Sequence, residues 1–389
     1  MTNTTAMKIL VVDDEPDLEV LVRQKFRRQV REGSFELVFA RNGEEALEVL
    51  NQDPSINIVL SDINMPVMDG LTLLGKLTGL DRILKAVIVS AYGDMQNIRI
   101  AMNRGAFDFV TKPIDFHDLE ITINRTWDEI LALKRSLQER TQLTALRQEL
   151  SIAARIQQSI LPRAFPAFPN RKEFDIFAAM TPAKEVGGDF YDFFLMDHDR
   201  LGFVIGDVSG KGVPAALFMA VCRTLLRATA MQAASAGDCL QYVNGVLAAE
   251  SDAAMFVTLF YGTLNLRNGE VEFAVGGHNP PYVFSESRVA PLQFEGGMIV
   301  GALNVARYES QRIQLRPGEG LFLYTDGLTE AANNTEDLFG EERLEAALRS
   351  CAGQPLQKLL RSVTAAAQQF ADGAPQADDL TILAVRYLG

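Results

Sequence analysis

The sequence predicts a multidomain protein: an α/β doubly wound domain, a long helical coiled-coil linker, and an α+β layered β-sandwich domain. Three observations support this prediction. Short apolar runs alternate with amphipathic stretches over residues 7–121, as in a parallel sheet covered by helices. Residues 122–161 contain no glycine or proline. Residues 162–389 group their expected helices into two blocks, which is typical of a fold that segregates helices from strands.

Length and composition limit what this protein can be. At about 150 residues per domain, the 389 residues leave room for two or three domains. Hydrophobic residues make up 48% and charged residues 22% of the chain, and these proportions exclude disorder as its main state. The net charge of −13 argues against partners that need a basic surface, so we expect neither nucleic-acid nor membrane binding.

Cysteine content and the first residues predict the compartment. Cys222, Cys239 and Cys351 are too few and too scattered for a disulfide framework or a thiolate zinc site, which favours a reducing compartment. The first seven residues lack the basic and apolar regions of a secretion signal. No uninterrupted apolar run reaches the about 18 residues of a membrane-spanning helix, so we expect a cytoplasmic protein.

The first domain alternates between two kinds of segment. Apolar runs predict strands at residues 8–12, 35–40, 58–60, 86–89 and 107–110. Helical spacing predicts helices at residues 18–30, 44–50, 71–80 and 95–104. Because strands and helices alternate, the strands should form a parallel sheet with helices on both faces. Ligands of such sheets bind outside the carboxyl ends of the strands.

Five polar residues fall at these strand ends: Asp13, Asp14, Asp62, Ser90 and Lys112. Three carboxylates together make a site for a hard divalent cation, and Mg²⁺ suits a site with few protein ligands. Asp62 can then act as the nucleophile toward a phosphoryl group, while Lys112 and Ser90 contact the phosphoryl oxygens. One aspartate at a strand end is commonly a turn or cap residue, but this conjunction favours a phosphoryl-transfer site.

Four segments identify the family that the first domain resembles. They are VVDDE at residues 11–15, DINMPVMDG at 62–70, SA at 90–91 and TKP at 111–113. Their order is that of two-component response-regulator receiver domains, and the resemblance covers residues 7–121. It implies a flavodoxin-like fold, with Asp62 as the phosphoacceptor and a histidine kinase as the phosphodonor.

The same resemblance implies roles for the other residues of the site. It implies a Mg²⁺ ion held by Asp13, Asp14, Asp62 and Asn64, the last through its backbone carbonyl. Ser90 and Lys112 would contact the phosphoryl group, and Phe109 would occupy the aromatic switch position. The last helix of such domains carries the output face, and in this sequence it runs directly into the long helix that follows.

A single long helix is predicted from Phe116 to Ile160, and residues 122–161 form the linker. Apolar residues recur in two sets with a 3–4 repeat, and the phase slips between Leu137 and Leu143, which predicts a partly coiled-coil helix with a discontinuity. An apolar seam needs a partner, and a second copy of the chain is the simplest one, so we expect a homodimer through this helix. The alternative is a helix that folds back on its own domains.

The last domain, residues 162–389, has a mixed pattern. Strands are predicted at residues 174–178, 192–195, 201–205, 256–266, 271–275, 320–324 and 380–387. Helices are predicted at residues 214–232, 239–251, 341–350 and 357–370. Three prolines within residues 162–169 end the long helix and make an extended connector.

Aspartates beside glycines or at strand edges mark a second candidate site. The motifs are GGDFYD at residues 187–192, GDVSGKG at 206–212, TDG at 325–327 and DDLT at 378–381. Glycine lets the backbone approach a ligand closely, and distant aspartates that converge make an all-oxygen site for Mg²⁺ or Mn²⁺. Two such ions about 3.5–4 Å apart activate a water for phosphate-ester hydrolysis. Because an isolated Asp-Gly pair is commonly a turn, the prediction rests on the conjunction of motifs.

Together these motifs resemble those of the PPM-type serine/threonine phosphatases, in particular their SpoIIE-like (RsbU-like) branch. The resemblance covers about residues 150–389 and includes IQQSILP at 156–162, which resembles the helix that leads into the domain in that branch. It implies two Mn²⁺ or Mg²⁺ ions, whose ligands are Asp189, Asp207, Asp326, Asp378 or Asp379, and the backbone carbonyl of Val208. Asp378 is favoured over Asp379, because the adjacent position is an amide in distant relatives.

This chain departs from the wider phosphatase family at the general acid. Eukaryotic members place a histidine in the loop that corresponds to residues 207–212, and this chain has none there. Either water or another residue must protonate the leaving group. His278, between Gly-Gly and Asn-Pro-Pro, fits the role of holding a turn better than a catalytic role.

The two resemblances predict a response regulator whose output is a metal-dependent protein serine/threonine phosphatase. Phosphorylation of Asp62 would shift the receiver's output face, and the long helices would transmit this change to the phosphatase. The implied substrate is a phosphorylated STAS-type anti-sigma-factor antagonist. One alternative is an inert phosphatase-like adaptor, which the intact set of carboxylates disfavours. Another is a DNA-binding regulator, which the lack of a basic face in the sequence disfavours.

Overall fold

The computed structural model describes residues 6–91, 94–250 and 255–389. It divides into two compact units, Met1–Ala145 and Leu146–Gly389, and the division falls inside one long helix. The predicted order of a doubly wound domain, a long helix and an α+β domain is confirmed.

Within the part of the first unit that the structure describes, five strands form its centre: β1 (Met7–Val12), β2 (Phe35–Ala40), β3 (Ile58–Asp62), β4 (Lys85–Ala91) and β5 (Asp108–Lys112). They make one parallel sheet in the order β2-β1-β3-β4-β5. The helices are α1 (Pro16–Lys25), α2 (Arg27–Arg31), α3 (Gly43–Gln52), α4 (Gly70–Leu77), α5 (Met95–Asn103) and the start of α6 (Phe116–Ile160). The strand order changes direction between β1 and β3, so their carboxyl ends flank the crevice where such sheets bind ligands.

One helix prediction in this unit is wrong. The single helix expected over residues 18–30 is two helices, α1 and α2, which are separated at Phe26. The backbone of Phe26 leaves helical geometry, with φ −93° and ψ 13°. Its buried ring packs on the ring of Phe35 at a centroid distance of 5.3 Å. Apolar spacing alone does not reveal this break, because the aromatic contact that accompanies it is with a strand.

Helix α6 runs without interruption for 45 residues, so the expected discontinuity is not a break in the helix. Its first turns belong to the core of the first unit, where Leu119, Ile123, Trp127 and Ile130 are buried. Several apolar side chains farther along the helix are exposed, with exposed fractions between 37% and 58%; they are Leu133, Leu137, Leu143, Leu146, Ile152 and Ile156. The helix therefore changes from a packed element to one with exposed apolar residues.

The described residues of the second unit form ten strands: β6 (Phe174–Thr181), β7 (Phe190–Leu195), β8 (Arg200–Val208), β9 (Val257–Asn265), β10 (Glu270–Gly276), β11 (Tyr282–Ser285), β12 (Arg288–Pro291), β13 (Gln311–Gln314), β14 (Gly320–Tyr324) and β15 (Leu380–Tyr387). They form two antiparallel five-stranded sheets. One sheet has the order β13-β10-β9-β8-β7, and the other has the order β12-β11-β14-β15-β6. The predicted layered β-sandwich is thus present.

The core of the second unit lies between its two sheets. Phe260 stacks on Phe203 and on Phe273, with ring centroids 6.3 Å and 5.2 Å apart. The same buried cluster includes residues of the opposite sheet, such as Leu323 and Val385. The helices of this unit are α7 (Val213–Ala230), α8 (Ala236–Glu250), α9 (Asp326–Thr329), α10 (Gly340–Cys351) and α11 (Leu356–Ala371). A second buried cluster joins α10 and α11 to β14 and β15.

Four short elements of this unit were not predicted: strands β11, β12 and β13, and helix α9. Each has only four residues, which is too short for a periodic pattern to stand out. β13 has the sequence QRIQ and, among the described strands, pairs only with β10 at the edge of its sheet. Its backbone hydrogen bonds to β10 define it as a strand, because its sequence has little apolar content.

Helix α7 has the length and composition of a membrane span, with a mean hydropathy of 1.3 over 18 residues. One face of it is buried in the core of the second unit through Ala215, Met219, Cys222 and Leu226. Core helices of folded domains pass the same length and composition test, so α7 is weak support for a membrane segment. Cys222, Cys239 and Cys351 are all buried and free of disulfide bonds.

Candidate functional site

The first candidate site lies at the carboxyl ends of β1, β3 and β5. The Nζ atom of Lys112 lies 2.8 Å from Asp62 Oδ2 and 3.0 Å from Asp13 Oδ2. It also lies 3.3 Å from Glu15 Oε1. Asp13, Asp14 and Asp62 each offer a carboxylate oxygen within 4.8 Å of the other two. The structure therefore brings together the three carboxylates and the lysine that the sequence placed at separate strand ends.

The charges of this site fit a divalent cation. Burial raises the pKa of Asp13, against the opposing effects of a backbone hydrogen bond and of Lys112. Burial lowers the pKa of Lys112, but hydrogen bonds with Asp62 and Asp13 outweigh it and raise that pKa. Lys112 is thus a permanent cation, and one ammonium group does not balance three carboxylates. Oxygen ligands in this excess are the donor set that Mg²⁺ prefers.

Asp62 is held by the loop that follows β3. Its Oδ1 accepts a hydrogen bond from the N–H of Ile63 at 2.7 Å. A Cβ at residue 70 would lie 2.0 Å from the carbonyl oxygen of Asp62, so only glycine fits at Gly70. Asp69 caps α4 by accepting a hydrogen bond from the N–H of Thr72 at 2.6 Å. The Asp-Gly pair of this motif therefore allows the close return of the chain beside Asp62.

Three further residues of the predicted receiver site differ in their burial. Ser90 in β4 is 1% exposed, and its Oγ has no hydrogen-bond partner among the residues that the structure describes. A buried hydroxyl without a partner is costly, and a phosphoryl oxygen would satisfy it. Phe109 in β5 is half-buried against the core of the unit, and Asn64 is exposed in the loop after β3.

The second candidate site lies where three loops of the second unit approach the start of β15. A Cβ at Gly187 would lie 2.2 Å from Asp379 Oδ2. One at Gly327 would lie 2.0 Å from the carbonyl oxygen of Asp379. One at Gly188 would lie 2.8 Å from the carbonyl oxygen of Val208. The glycines of separate motifs therefore permit these segments to touch, and the expected convergence is observed.

The aspartates of this site raise one another's pKa. Burial and then the charge of Asp207 raise the pKa of Asp189 well above its usual range. Burial and then the charge of Asp326 raise the pKa of Asp207 to about 7. Burial and then Asp378 raise the pKa of Asp326. Among the described residues, three carboxylates come within 4.8 Å of one another only at the first site, in Asp13, Asp14 and Asp62. The aspartates of the second site are therefore spaced more widely than those of the first site. Crowded carboxylates of this kind fit divalent cations, which would compensate their charge.

Asp378 and Asp379 have different surroundings. The carboxylate of Asp379 accepts hydrogen bonds from the backbone N–H groups of Ala183 and Gly188, at 2.8 Å and 2.6 Å. It is therefore engaged in holding the loop. Asp378 Oδ2 pairs instead with Lys211 Nζ at 2.8 Å, at the rim of the site. That Asp378, rather than Asp379, is the metal ligand stays a prediction.

Two residues of the site were missed by the sequence reasoning. Thr325 is fully buried, and its Oγ1 donates a hydrogen bond to Asp189 Oδ2 at 2.7 Å. The N–H of Thr381 donates to the same hydroxyl at 3.0 Å. Gln157 in α6 exchanges two hydrogen bonds with Gly187. Both residues lie within quoted motifs, but the direction of a hydroxyl or an amide cannot be deduced from a motif.

His278 is buried rather than open to substrate. Its Nδ1 lies 2.8 Å from Thr258 Oγ1, and Thr258 pairs with Asp207 across strands β8 and β9. Burial lowers the pKa of His278 to about 4, so the ring is neutral at physiological pH. A neutral ring bonded to a strand residue agrees with the expectation that His278 holds the turn after β10.

Comparisons with known proteins identify the families that the two units match. Residues 9–124 match the response regulator receiver domain family, and residues 197–388 match the family described as Stage II sporulation protein E (SpoIIE). The chain is 32% identical over 266 residues to Protein IcfG of Synechocystis sp., covering 61% of this chain and 41% of that protein. It is 27% identical to Phosphoserine phosphatase RsbU of Bacillus subtilis, covering 70% of this chain and 79% of that protein.

A solved structure supports the fold of the second unit. The SiaA-PP2C domain of Pseudomonas aeruginosa is similar to this chain with a TM-score of 0.57 and 25% sequence identity. The match covers 63% of this chain and 98% of that domain. The two family matches define a two-component response regulator with an enzymatic output domain. The chain is a receiver domain fused to a SpoIIE-type, metal-dependent protein phosphatase domain.

Proposed function

We propose that a histidine kinase phosphorylates Asp62, and that this phosphorylation controls hydrolysis of phosphoserine or phosphothreonine on a protein by the second unit. The observation that supports this most strongly is the crowding of buried aspartates around Asp207, whose pKa is raised to about 7. Buried carboxylates this close together destabilise the folded state. A metal-dependent hydrolytic site, in which cations would neutralise their charge, accounts for their presence. An inert adaptor has no use for them.

In the receiver, a carboxylate oxygen of Asp62 attacks the phosphorus of the kinase's phosphohistidine. The phosphorus–nitrogen bond breaks and an aspartyl phosphate forms. Lys112 neutralises charge on the phosphoryl oxygens, and the free hydroxyl of Ser90 donates a hydrogen bond to one of them. The three carboxylates and the carbonyl of Asn64 would hold a Mg²⁺ ion, which when bound supplies neutralisation of the remaining charge.

In the phosphatase, Asp189, Asp207, Asp326 and Asp378, with the Val208 carbonyl, would hold two Mn²⁺ or Mg²⁺ ions. When bound, these ions supply Lewis-acid activation of water and neutralise phosphoryl charge. Thr325 fixes the orientation of Asp189 through its hydrogen bond to Oδ2. Lys211, whose Nζ also donates to the carbonyl of Ala377 at 2.7 Å, orients the segment that carries Asp378.

The proposed substrate is a phosphorylated STAS-type anti-sigma-factor antagonist in the cytoplasm. Similarity to a protein named as a phosphoserine phosphatase supports a phosphoserine substrate. The net charge of −13 and the reduced, buried cysteines are consistent with a cytoplasmic protein that binds neither nucleic acid nor membranes. We also propose that the exposed apolar residues of α6 pair with those of a second copy, which makes the protein a homodimer through its linker.

Phosphate release from p-nitrophenyl phosphate in Mn²⁺ buffer tests this function, because a small ester needs the metal site but no protein recognition. We expect Asp207→Asn to lower the rate more than about 100-fold, since even partners outside the ligand set are worth 10–100-fold. Asp197→Asn, at an exposed residue between β7 and β8, is the matched control and should keep the rate. Equal rates for Asp207→Asn and wild type would contradict the proposal.

A further inference from the structure

Helix α6 contacts the loop before β7 through the buried amide of Gln157. The Nε2 atom of Gln157 donates a hydrogen bond to the carbonyl oxygen of Gly187 at 2.6 Å. Its Oε1 accepts a hydrogen bond from the N–H of the same glycine at 3.1 Å. Gln157 is 7% exposed, whereas Ile156 beside it is 58% exposed. The amide N–H and C=O groups of Gln157 therefore both form hydrogen bonds with the backbone of Gly187.

This contact lies two residues from a proposed metal ligand. Gly187 is followed by Gly188, whose N–H donates to Asp379 Oδ2 at 2.6 Å, and then by Asp189. A side chain at residue 187 would collide with Asp379 Oδ2, so the loop is confined between Asp379 and Gln157. The position of Asp189 is therefore set from two sides, by Asp379 just before β15 and by the end of α6.

Packing alone does not require an amide at residue 157. An apolar side chain would fill a buried position at no cost, whereas a buried amide is costly unless its hydrogen bonds are made. The exchange of both N–H···O bonds with one residue is the pattern by which strands fix register. Here the two hydrogen bonds of Gln157 fix a loop that is not part of a strand, because β7 begins only at Phe190.

We propose that Gln157 is a positioning residue for the phosphatase metal centre, through which helix α6 holds the Gly187–Gly188–Asp189 segment in place for metal binding. This inference rests on the proposed function, because it assumes that Asp189 is a ligand. It also gives the linker a direct route to the metal site. The helix whose first turns pack in the receiver core carries, in its last turn, the residue that holds the metal loop. Movement of α6 then alters metal binding without altering any ligand.

The test measures Mn²⁺ affinity of the full chain by calorimetry, in an Asp13→Asn background that removes the receiver site. Gln157→Leu should weaken Mn²⁺ binding by about 10–100-fold, the usual effect of losing a partner that orients a ligand. Gln158→Leu, the same change at the next residue, should stay within about twofold of the parent. Gln157→Glu keeps the acceptor for the Gly187 N–H but loses the donor, and it should also weaken binding.

Each outcome decides the matter. If Gln157→Leu and Gln157→Glu bind Mn²⁺ as tightly as Gln158→Leu does, the proposal is overturned, even if both variants melt at a lower temperature. If Gln157→Leu does not fold, as judged by its circular dichroism, the Gln157→Glu result decides. Asp207→Asn distinguishes failure of the proposed metal site from failure of the role given to Gln157. If Asp207→Asn leaves Mn²⁺ binding unchanged, the proposed metal site is contradicted. If it abolishes binding while the Gln157 variants do not weaken it, only the role of Gln157 is wrong.

Discussion

The ammonium group of Lys112 lies 2.8 Å from the carboxylate of Asp62, although the two residues are 50 positions apart in the chain. Parallel pairing of β3 with β4 and of β4 with β5 produces this contact, because it places the carboxyl ends of all three strands at one edge. The same ammonium group is 3.0 Å from Asp13. One cation therefore links Asp62, the proposed phosphoacceptor, to the carboxylate at the end of β1.

Loss of this cation should slow phosphorylation of Asp62. Lys112→Ala removes the charge that meets the phosphoryl oxygens, so we expect phosphorylation by acetyl phosphate to fall at least about tenfold, the effect of 1.4 kcal/mol. Phosphate-affinity electrophoresis measures the phosphorylated fraction over time. Lys76→Ala, at an exposed lysine of α4, is the control. Equal rates for the two variants would show that Lys112 has no part in phosphoryl transfer.

Thr325 should control metal affinity through Asp189. Thr325→Val keeps the shape of the side chain but removes the hydroxyl that donates to Asp189 Oδ2 at 2.7 Å. We expect the Mn²⁺ concentration for half-maximal phosphate release to rise about 10-fold or more. Thr325→Ser, which keeps the hydroxyl, should restore most of the affinity. A wild-type Mn²⁺ dependence in Thr325→Val would contradict the role given to this hydrogen bond.

Burial of His278 should make stability fall at acidic pH. Its pKa is lowered from 6.5 to about 4 in the folded protein, so the unfolded chain binds a proton first as pH falls. The stabilising effect of the neutral ring is complete above pH 6.5 and is lost as pH falls toward 4, amounting to at most about 3 kcal/mol.

Calorimetry of the full chain at pH 7.5 and pH 5 checks this expectation. The transition of the phosphatase unit should shift to lower temperature at pH 5, and His278→Gln should reduce that shift because glutamine does not titrate. A shift of the same size in wild type and His278→Gln would assign the acid sensitivity to other groups.

The exposed apolar residues of α6 should form a dimer interface. Leu143 and Leu146 are 49% and 53% exposed in one chain. A charge at either position would be buried on pairing, so Leu146→Glu should shift the protein from dimer to monomer in sedimentation at micromolar concentration. Gln148→Glu adds the same charge at another exposed residue and should leave the dimer intact. A monomeric wild type would contradict the proposed pairing.

The sequence predicts most of the fold because its signals are local. The strands at Phe35–Ala40, Gly320–Tyr324 and Leu380–Tyr387 and the helix from Phe116 to Ile160 coincide with their predicted bounds. These segments have either continuous apolar runs or an uninterrupted stretch of helix formers. Short β13 and the break at Phe26 depend on contacts with distant segments, and local patterns do not contain such contacts.

The site was predictable to a different degree. Motifs locate Asp62 and Asp207, because aspartate beside glycine at a strand end is a local feature. They do not reveal that Thr325 bonds to Asp189 or that Gln157 bonds to Gly187, because each of these contacts depends on how distant elements pack. The residues that orient the proposed ligands are therefore found only in the structure.

The most direct test of the account is the dependence of phosphatase activity on the phosphorylation of Asp62. Phosphate release from p-nitrophenyl phosphate should be measured with and without acetyl phosphate, in wild type and in Asp62→Ala. We predict that acetyl phosphate changes the wild-type rate by about 5-fold or more, the range of ordinary allosteric coupling, and leaves Asp62→Ala unchanged. An identical response in the two proteins, or an active wild type that does not respond, would contradict the claim that the receiver controls the phosphatase.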